Sequence, residues 1–202
     1  MMKTAYAAAS LAAFLGAAAL TPSAFADPVE YEFDKTHTAI RATWTHLGFS
    51  HQAIQFTDFD GVLMLDFEEP ANSTVDVTFN LADGFWVGAD QDRFVGHLSS
   101  PDLFNIAEYP TARFVATGFE TEDGETGQMM GDPTLLGHTH PVTLDVTLNQ
   151  RGPNPFSETP TAGFTATGEI LRSQWGLGYA APAVSDEVRI EINTELTVVT
   201  EE

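Results

Sequence analysis

Residues Arg93 to Phe114 read RFVGHLSSPDLFNIAEYPTARF, the one stretch of the chain where strand-like alternation gives way to a helix-like pattern. Ser99 and Ser100 can accept from orphan amides, Pro101 suits a first helical position, Asp102 favours the positive end of a helix dipole, and Pro110 forbids continuation. These signals predict one short helix near residues 100–108, with Leu103, Phe104 and Ala107 at helical spacing. An apolar face of that size lies on a sheet or closes the end of a barrel.

On both sides of this stretch the pattern has period two. Ala39 to Leu47 places Ile40, Ala42, Trp44 and His46 on one face and Arg41, Thr43 and Thr45 on the other. Thr74 to Leu81 sets Val75, Val77, Phe79 and Leu81 inward. Further strands are predicted over Ala53–Phe67, around an Asp60-Gly61 turn signal, and over Ala112–Phe119, Pro141–Leu148, Gly163–Ile170 and Glu187–Val199. Gly84-Phe85-Trp86-Val87-Gly88 departs from strict alternation, as bends near a cavity mouth do. Glu120 to Gly127 is an acidic hairpin turn, Asp132-Pro133 and Gly137 punctuate a strand pair, and Gln150 to Pro160 is expected as the longest loop. Many short strands, one helical interruption and no βαβ rhythm predict an all-β sandwich or antiparallel barrel. A barrel of about eight strands is preferred, because it encloses room for one small ligand and hides the edges of Val/Thr-rich strands.

The chain has 202 residues, enough for one domain with a core that needs no staples, and it has no cysteine. Disulfides, thiolate metal sites and a thiol nucleophile are thereby excluded. Residues 1–26 read as a signal peptide: Lys3 is followed by an Ala/Leu/Phe run through Leu20, a Thr21-Pro22 break and the small-x-small triplet Ala24-Phe25-Ala26. That leaves residues 27–202 as a single domain. The apolar run is short for a membrane span, and no later stretch is long and apolar enough to cross, so the mature chain is expected to be periplasmic, without stable membrane insertion.

Eight Lys and Arg face 29 Asp and Glu, a net charge of −21 that becomes −22 once Lys3 is removed. Nucleic acid is excluded as a partner, since phosphate binding needs clustered cations. The acids are scattered over Asp58, Asp60, Asp66, Glu68, Glu69, Glu120 to Glu125 and the Glu201-Glu202 end, as on a solvated face.

Seven short blocks in order resemble the YceI-like family of lipid-binding proteins. Arg93, His97-Leu98, Ser100, Asp102 and Phe104, followed by Tyr109-Pro110 and a later Phe114, resemble its central signature. Asp34 to His37 resembles the D-x-x-H opening, His46-Leu47-Gly48 the H-L-G, Phe56 with Asp60-Gly61 the F-x-x-F-D-G, and Thr139 with Pro141-Val142 the G-x-T-x-P-V. Arg172 to Gly176 resembles R-S-D-F-G, with Gln174 and Trp175 in place of Asp and Phe, and Val184 to Val188 resembles the block after it. Asn105 stands where the family tends to have Asp, and Pro133 interrupts a strand that is usually continuous.

The resemblance implies a lipocalin-like barrel holding a polyisoprenoid or similar apolar chain, with no cofactor and no chemical step. Ligand contacts are expected at Trp44, His46, Phe85, Trp86, Arg93, His97, Phe104, Phe114, Arg172 and Trp175, and His37 with Asp34 is expected as structural polar geometry. The partner expected is a long-chain isoprenoid or other apolar lipid; the few cations in so acidic a chain favour a neutral head, a quinone or prenol, over the pyrophosphate that the resemblance also allows, and a homodimer is compatible with the sequence.

The sequence also offers enzymatic readings. Gly48 to Gln52 fails the nucleophile elbow, which needs a second Gly where Gln52 stands. His37, His46, His51 and His97 could form acid/base pairs with the many carboxylates, but six His in so acidic a chain produce such neighbours by coincidence. A hydrolase or isomerase acting on such a lipid, and a scaffold with a filled core, are the alternative functions. His138 and His140 are the metal candidates, as alternate strand residues facing one way, although only two ligands are evident.

Overall fold

The structure is a computed structural model that describes residues 27–82, the backbone of 85–86, and 89–200. The expected signal peptide, the side chains of Phe85 and Trp86, and Glu201-Glu202 lie outside the described residues.

Strands β1 (Val29–Phe33) and β2 (Ala39–His46) run in line along one side of the last strand, β12 (Glu187–Val198). Strands β3 (Ser50–Phe56) and β4 (Phe59–Leu65) return beside them, so that β2 pairs β3 and β1 pairs β4. Next come β5 (Thr74–Asn80), the two-residue β6 (Phe85–Trp86), helix α1 (Gln91–Leu98), β7 (Thr111–Thr121), β8 (Thr126–Leu135), the short β9 (His138–Thr139), β10 (Val142–Pro153) and β11 (Pro160–Leu171). The sheet order β1-β4-β5-β7-β8-β10-β11-β12 closes through pairing of β12 with β1, giving an antiparallel eight-stranded barrel. Closure leaves these eight strands without a free edge. The expected fold class is therefore found.

The alternation of the sequence is the alternation of the wall. Ile40, Ala42, Val77 and Leu81 are buried, while Arg41, Thr78 and Asn80 are not. Gln150–Pro160 is not one loop: β10 continues to Pro153 and β11 begins at Pro160, because backbone pairing persists to the Pro153–Pro160 pair. Pro133 does not interrupt β8 either. It lies where β8 changes partner, between the Gly131–Val142 pair and the Thr134–Thr139 pair, a position that asks little of the missing N–H.

The helix is displaced from its expected place. Residues 99–109 form successive turns, and the helix precedes them at Gln91–Leu98. Ser99 closes this helix rather than opening one, its N–H reaching the carbonyl of Val95 at 2.8 Å. Asp92 sits in the first turn and His97 in the last, each at the end of the dipole that suits it. Gly96 conceals the helix from propensity, since glycine disfavours a helix interior. Phe94, Val95 and Leu98 supply the apolar face that the fold buries. Asn105 takes a left-handed conformation at φ 43°, which asparagine tolerates better than most residues, and its carbonyl accepts from Glu108 and Tyr109 at 2.9 Å.

The strand directions put the turn at 47–49, α1, the 99–110 turns, residues 136–141 and residues 172–186 at one end of the barrel, here the upper end. The lower end has the 66–73 segment, the 122–125 hairpin, the 154–159 loop and the two ends of the described chain. Leu98, Phe104 and Leu177 pack with Ala42, Ile54, Leu81, Ala112 and Val188 into a core cluster that stops the upper end.

Candidate functional site

Below that plug a cavity of about 310 Å³ runs from the middle of the barrel to its lower end. Ile40, Phe56, Val77 and Ile190 line its middle, Phe114, Leu144 and Ala166 continue it, and Phe67, Phe119, Leu148, Phe164 and Leu196 lie nearest the lower end. Apolar side chains dominate this wall. An apolar cavity of about 150 Å³ already stays dry and accepts a benzene ring, so the larger one here suits a hydrocarbon rather than water. The 66–73 segment and the 120–127 hairpin border it below.

The residues expected to touch a ligand are distributed along the whole molecule. Phe114 lines the cavity. Phe104 is in the upper plug, with Trp44 packed against the same cluster and stacked on Phe94 at 6.3 Å. Arg93 and His97 are exposed on α1, and the His97 ring meets Tyr179 edge-on at 5.9 Å. His46 is exposed at the end of β2, bridged to Val184.

Arg172 is buried and spends its guanidinium on the protein. Its Nε donates to the Ser185 carbonyl at 2.8 Å, Nη1 donates to that of Leu177, and Nη2 donates to those of Tyr179 and Val184 at 3.0 and 2.9 Å. Burial pushes its pKa down from the ordinary value, and the Asp186 carboxylate opposes that shift. Asp186 accepts from the Ser173 hydroxyl and amide, which hold its own pKa low. Trp175 is 0 % exposed and donates from Nε1 to the Pro133 carbonyl at 3.0 Å. Together Arg172 and Trp175 hold the 172–186 segment against the barrel.

His37 and Asp34 meet in the turn between β1 and β2. Nδ1 of His37 lies 2.7 Å from Oδ2 of Asp34, whose Oδ1 accepts from the amide and hydroxyl of Thr36. The Thr36 and His37 hydrogen bonds hold Asp34 down at about 2, and Asp34 pushes His37 above its ordinary 6.5. Among the described residues, the grouping able to offer three metal ligands is Asp34, His37 and Glu195, with ligand atoms within 4.8 Å of one another. His138 is exposed at the start of β9, near Gly176, and His140 lies just beyond the end of that strand at Thr139, its ring meeting Trp175 edge-on at 5.2 Å.

Sequence reasoning missed most of the cavity wall. Phe67, Leu148, Phe164 and Ile190 were legible as inward strand residues, but alternation cannot say which inward residues fill a core and which border a void.

A YceI-like domain is matched over residues 31–196. Protein YceI of Escherichia coli O157:H7 is 35% identical over 168 residues, covering 82% of this chain and 85% of that protein. A UPF0312 protein of Pseudomonas savastanoi pv. phaseolicola is 31% identical over 188 residues, covering 92% and 95%. Among solved structures, BcnA of Burkholderia cenocepacia superposes with a TM-score of 0.71 at 23% identity, covering 81% of this chain and 98% of that one. A polyisoprenoid binding domain from Saccharophagus degradans gives 0.55 at 12% identity, covering 85% and 99%, a likeness of fold alone.

Proposed function

This chain belongs to the YceI-like family, and we propose that it is a periplasmic carrier that holds one long-chain isoprenoid in its barrel. The observation behind this reading is the continuous apolar cavity, stopped at the upper end and bordered by loops at the lower. Burial of apolar chain is worth about 25 cal/mol per Å², so such a cavity binds a long hydrocarbon with few polar contacts. The polyisoprenoid binding domain of Saccharophagus degradans, with the same fold, supports the ligand class. Cleavage after Ala26 and export to the periplasm follow from the Ala24-Phe25-Ala26 signal. Among the described residues no helix is long and apolar enough to cross a membrane.

The head is a quinone or an alcohol. A pyrophosphate needs paired cations or aimed amides. Here Arg172 is committed to carbonyls, Arg113 to Asp76, and Lys35 to Asp60 at 3.0 Å. The net charge of −21 also repels an anionic ligand.

Mass spectrometry of the organic extract of protein purified from its own periplasm tests the reading. The expected result is a near-stoichiometric isoprenoid ending in a quinone or alcohol. Protein that yields no lipid, and that takes up no prenyl chain on titration, overturns it.

A further inference from the structure

A β-bulge near the lower end redirects one arginine. Down β10 the inward residues are Val142, Leu144, Val146 and Leu148, and Leu148 faces Phe164 across the ladder. Between Leu148 and Gln150 the register slips by one residue. Asn149 takes the extra place and turns outward, its side-chain amide donating to the Thr165 hydroxyl at 3.0 Å. Beyond it the parity is inverted, as an inserted residue requires. Arg151 now pairs with Ala162, which is 0 % exposed on the inner face. A residue directly across an antiparallel pair points to the same side, so Arg151 faces inward where simple alternation from Leu148 would turn it out.

Its guanidinium lies 4.0 Å over the centroid of Phe67, a residue of the cavity wall. The Phe67 ring stacks on Phe164 of the same wall, with centroids 6.3 Å apart and planes 15° from parallel. The cation therefore lies over an aromatic pair that lines the lower end of the cavity, although Arg151 itself is outside the lining. It is exposed and forms no ion pair among the described residues. In the lower segments 66–73, 120–127 and 149–160, Arg151 is the single Lys or Arg, among Asp66, Glu68, Glu69, Glu120, Glu122, Asp123, Glu125 and Glu158.

Resting on the lipid-carrier reading, we propose that the ligand passes through this lower mouth and leaves its head there, where Arg151 donates to one uncharged oxygen of a hydroxyl or carbonyl. One guanidinium on an aromatic face supplies directed donors without the second cation that a pyrophosphate needs. The surrounding carboxylates oppose any anion at the same place. Arg151 is thus the residue that distinguishes a lipid with an oxygen head from a bare hydrocarbon.

The test uses three probes with one C15 chain, farnesol, farnesene and farnesyl pyrophosphate, titrated against the mature protein and its Arg151→Leu and Arg151→Gln variants. Arg151→Leu keeps an apolar stem over Phe67 and removes the donors. It should weaken farnesol about tenfold, as loss of a charge-assisted hydrogen bond does, and leave farnesene within about twofold. Arg151→Gln, which retains a donor, should fall between. Equal losses for farnesol and farnesene would reduce Arg151 to a packing residue and overturn the proposal, as would no loss for either. Farnesyl pyrophosphate binding more tightly than farnesol to the unmodified protein would overturn the neutral-head assignment. If the unmodified protein binds none of the three, the carrier reading itself falls, and this inference with it.

Discussion

The ring of Phe114 on β7 occupies the space that Gly131 on β8 leaves empty: a Cβ at position 131 would collide with the Cζ and Cε2 of that ring. The two residues sit side by side in the ladder, Phe114 against Pro133 and Ala116 against Gly131, and Phe114 borders the cavity. Gly131→Ala should therefore displace Phe114 and cost about 1–3 kcal/mol, the usual penalty of overpacking. Denaturant unfolding measures the cost, and a prenol titration should show altered affinity in the same variant. Unchanged stability and unchanged binding would mean that the ring moves freely.

Ala166 on β11 is 5 % exposed and borders the cavity beside Val146, its ladder partner on β10. Ala166→Phe places a ring where the chain of a ligand would lie. Prenol affinity should fall about tenfold or more, equivalent to at least about 1.4 kcal/mol. The melting temperature should hold or rise, since the ring fills a void. A variant that binds as well as the unmodified protein would place the ligand elsewhere.

Arg172 bonds the carbonyls of Leu177, Tyr179, Val184 and Ser185. Arg172→Met leaves those carbonyls without their donor and should destabilise the protein by about 3–5 kcal/mol. Arg172→Lys should recover little, because an ammonium lacks the planar fork. Hydrogen exchange should localise the loosening to residues 172–186. Loss of prenol binding with stability intact would instead give Arg172 a direct ligand contact.

Asp34 and His37 form a pair with a defined pH window. Asp34, held at about 2 against an ordinary 3.8, contributes stability above its unfolded value and loses it as pH falls toward about 2. His37, raised above 6.5, contributes fully below 6.5 and loses its share as pH rises through the raised value. The pair is therefore intact between roughly pH 4 and 6.5. His37 is exposed, so the effect is best read by NMR titration of its ring. Asp34→Asn should bring the His37 pKa back toward 6.5, and Glu195→Gln should lower it less. A His37 pKa indifferent to both changes would dissolve the pair.

Periodicity in the sequence was enough to determine an antiparallel all-β fold, sandwich or barrel, because alternation with period two is imposed by the pleat; closure into a barrel rests on the pairing of β12 with β1, a contact between the two ends of the chain. The same period marked Ile40, Ala42, Val77 and Leu81 as interior residues. Composition determined the acidic surface and the absence of thiol chemistry. Tertiary structure decided where the helix lies, since Gly96 weakens the local signal and burial of Phe94, Val95 and Leu98 supplies what propensity lacks. It decided that Arg172 serves the 172–186 segment, because its carbonyl partners are brought around it by the return of that segment onto the barrel. It decided that His138 and His140 meet the 172–186 segment, at Gly176 and Trp175. Above all it decided the inward turn of Arg151. One unpaired residue at Asn149 reverses the parity of everything beyond it, and only the pairing of β10 with β11, a nonlocal property, reveals where that residue falls.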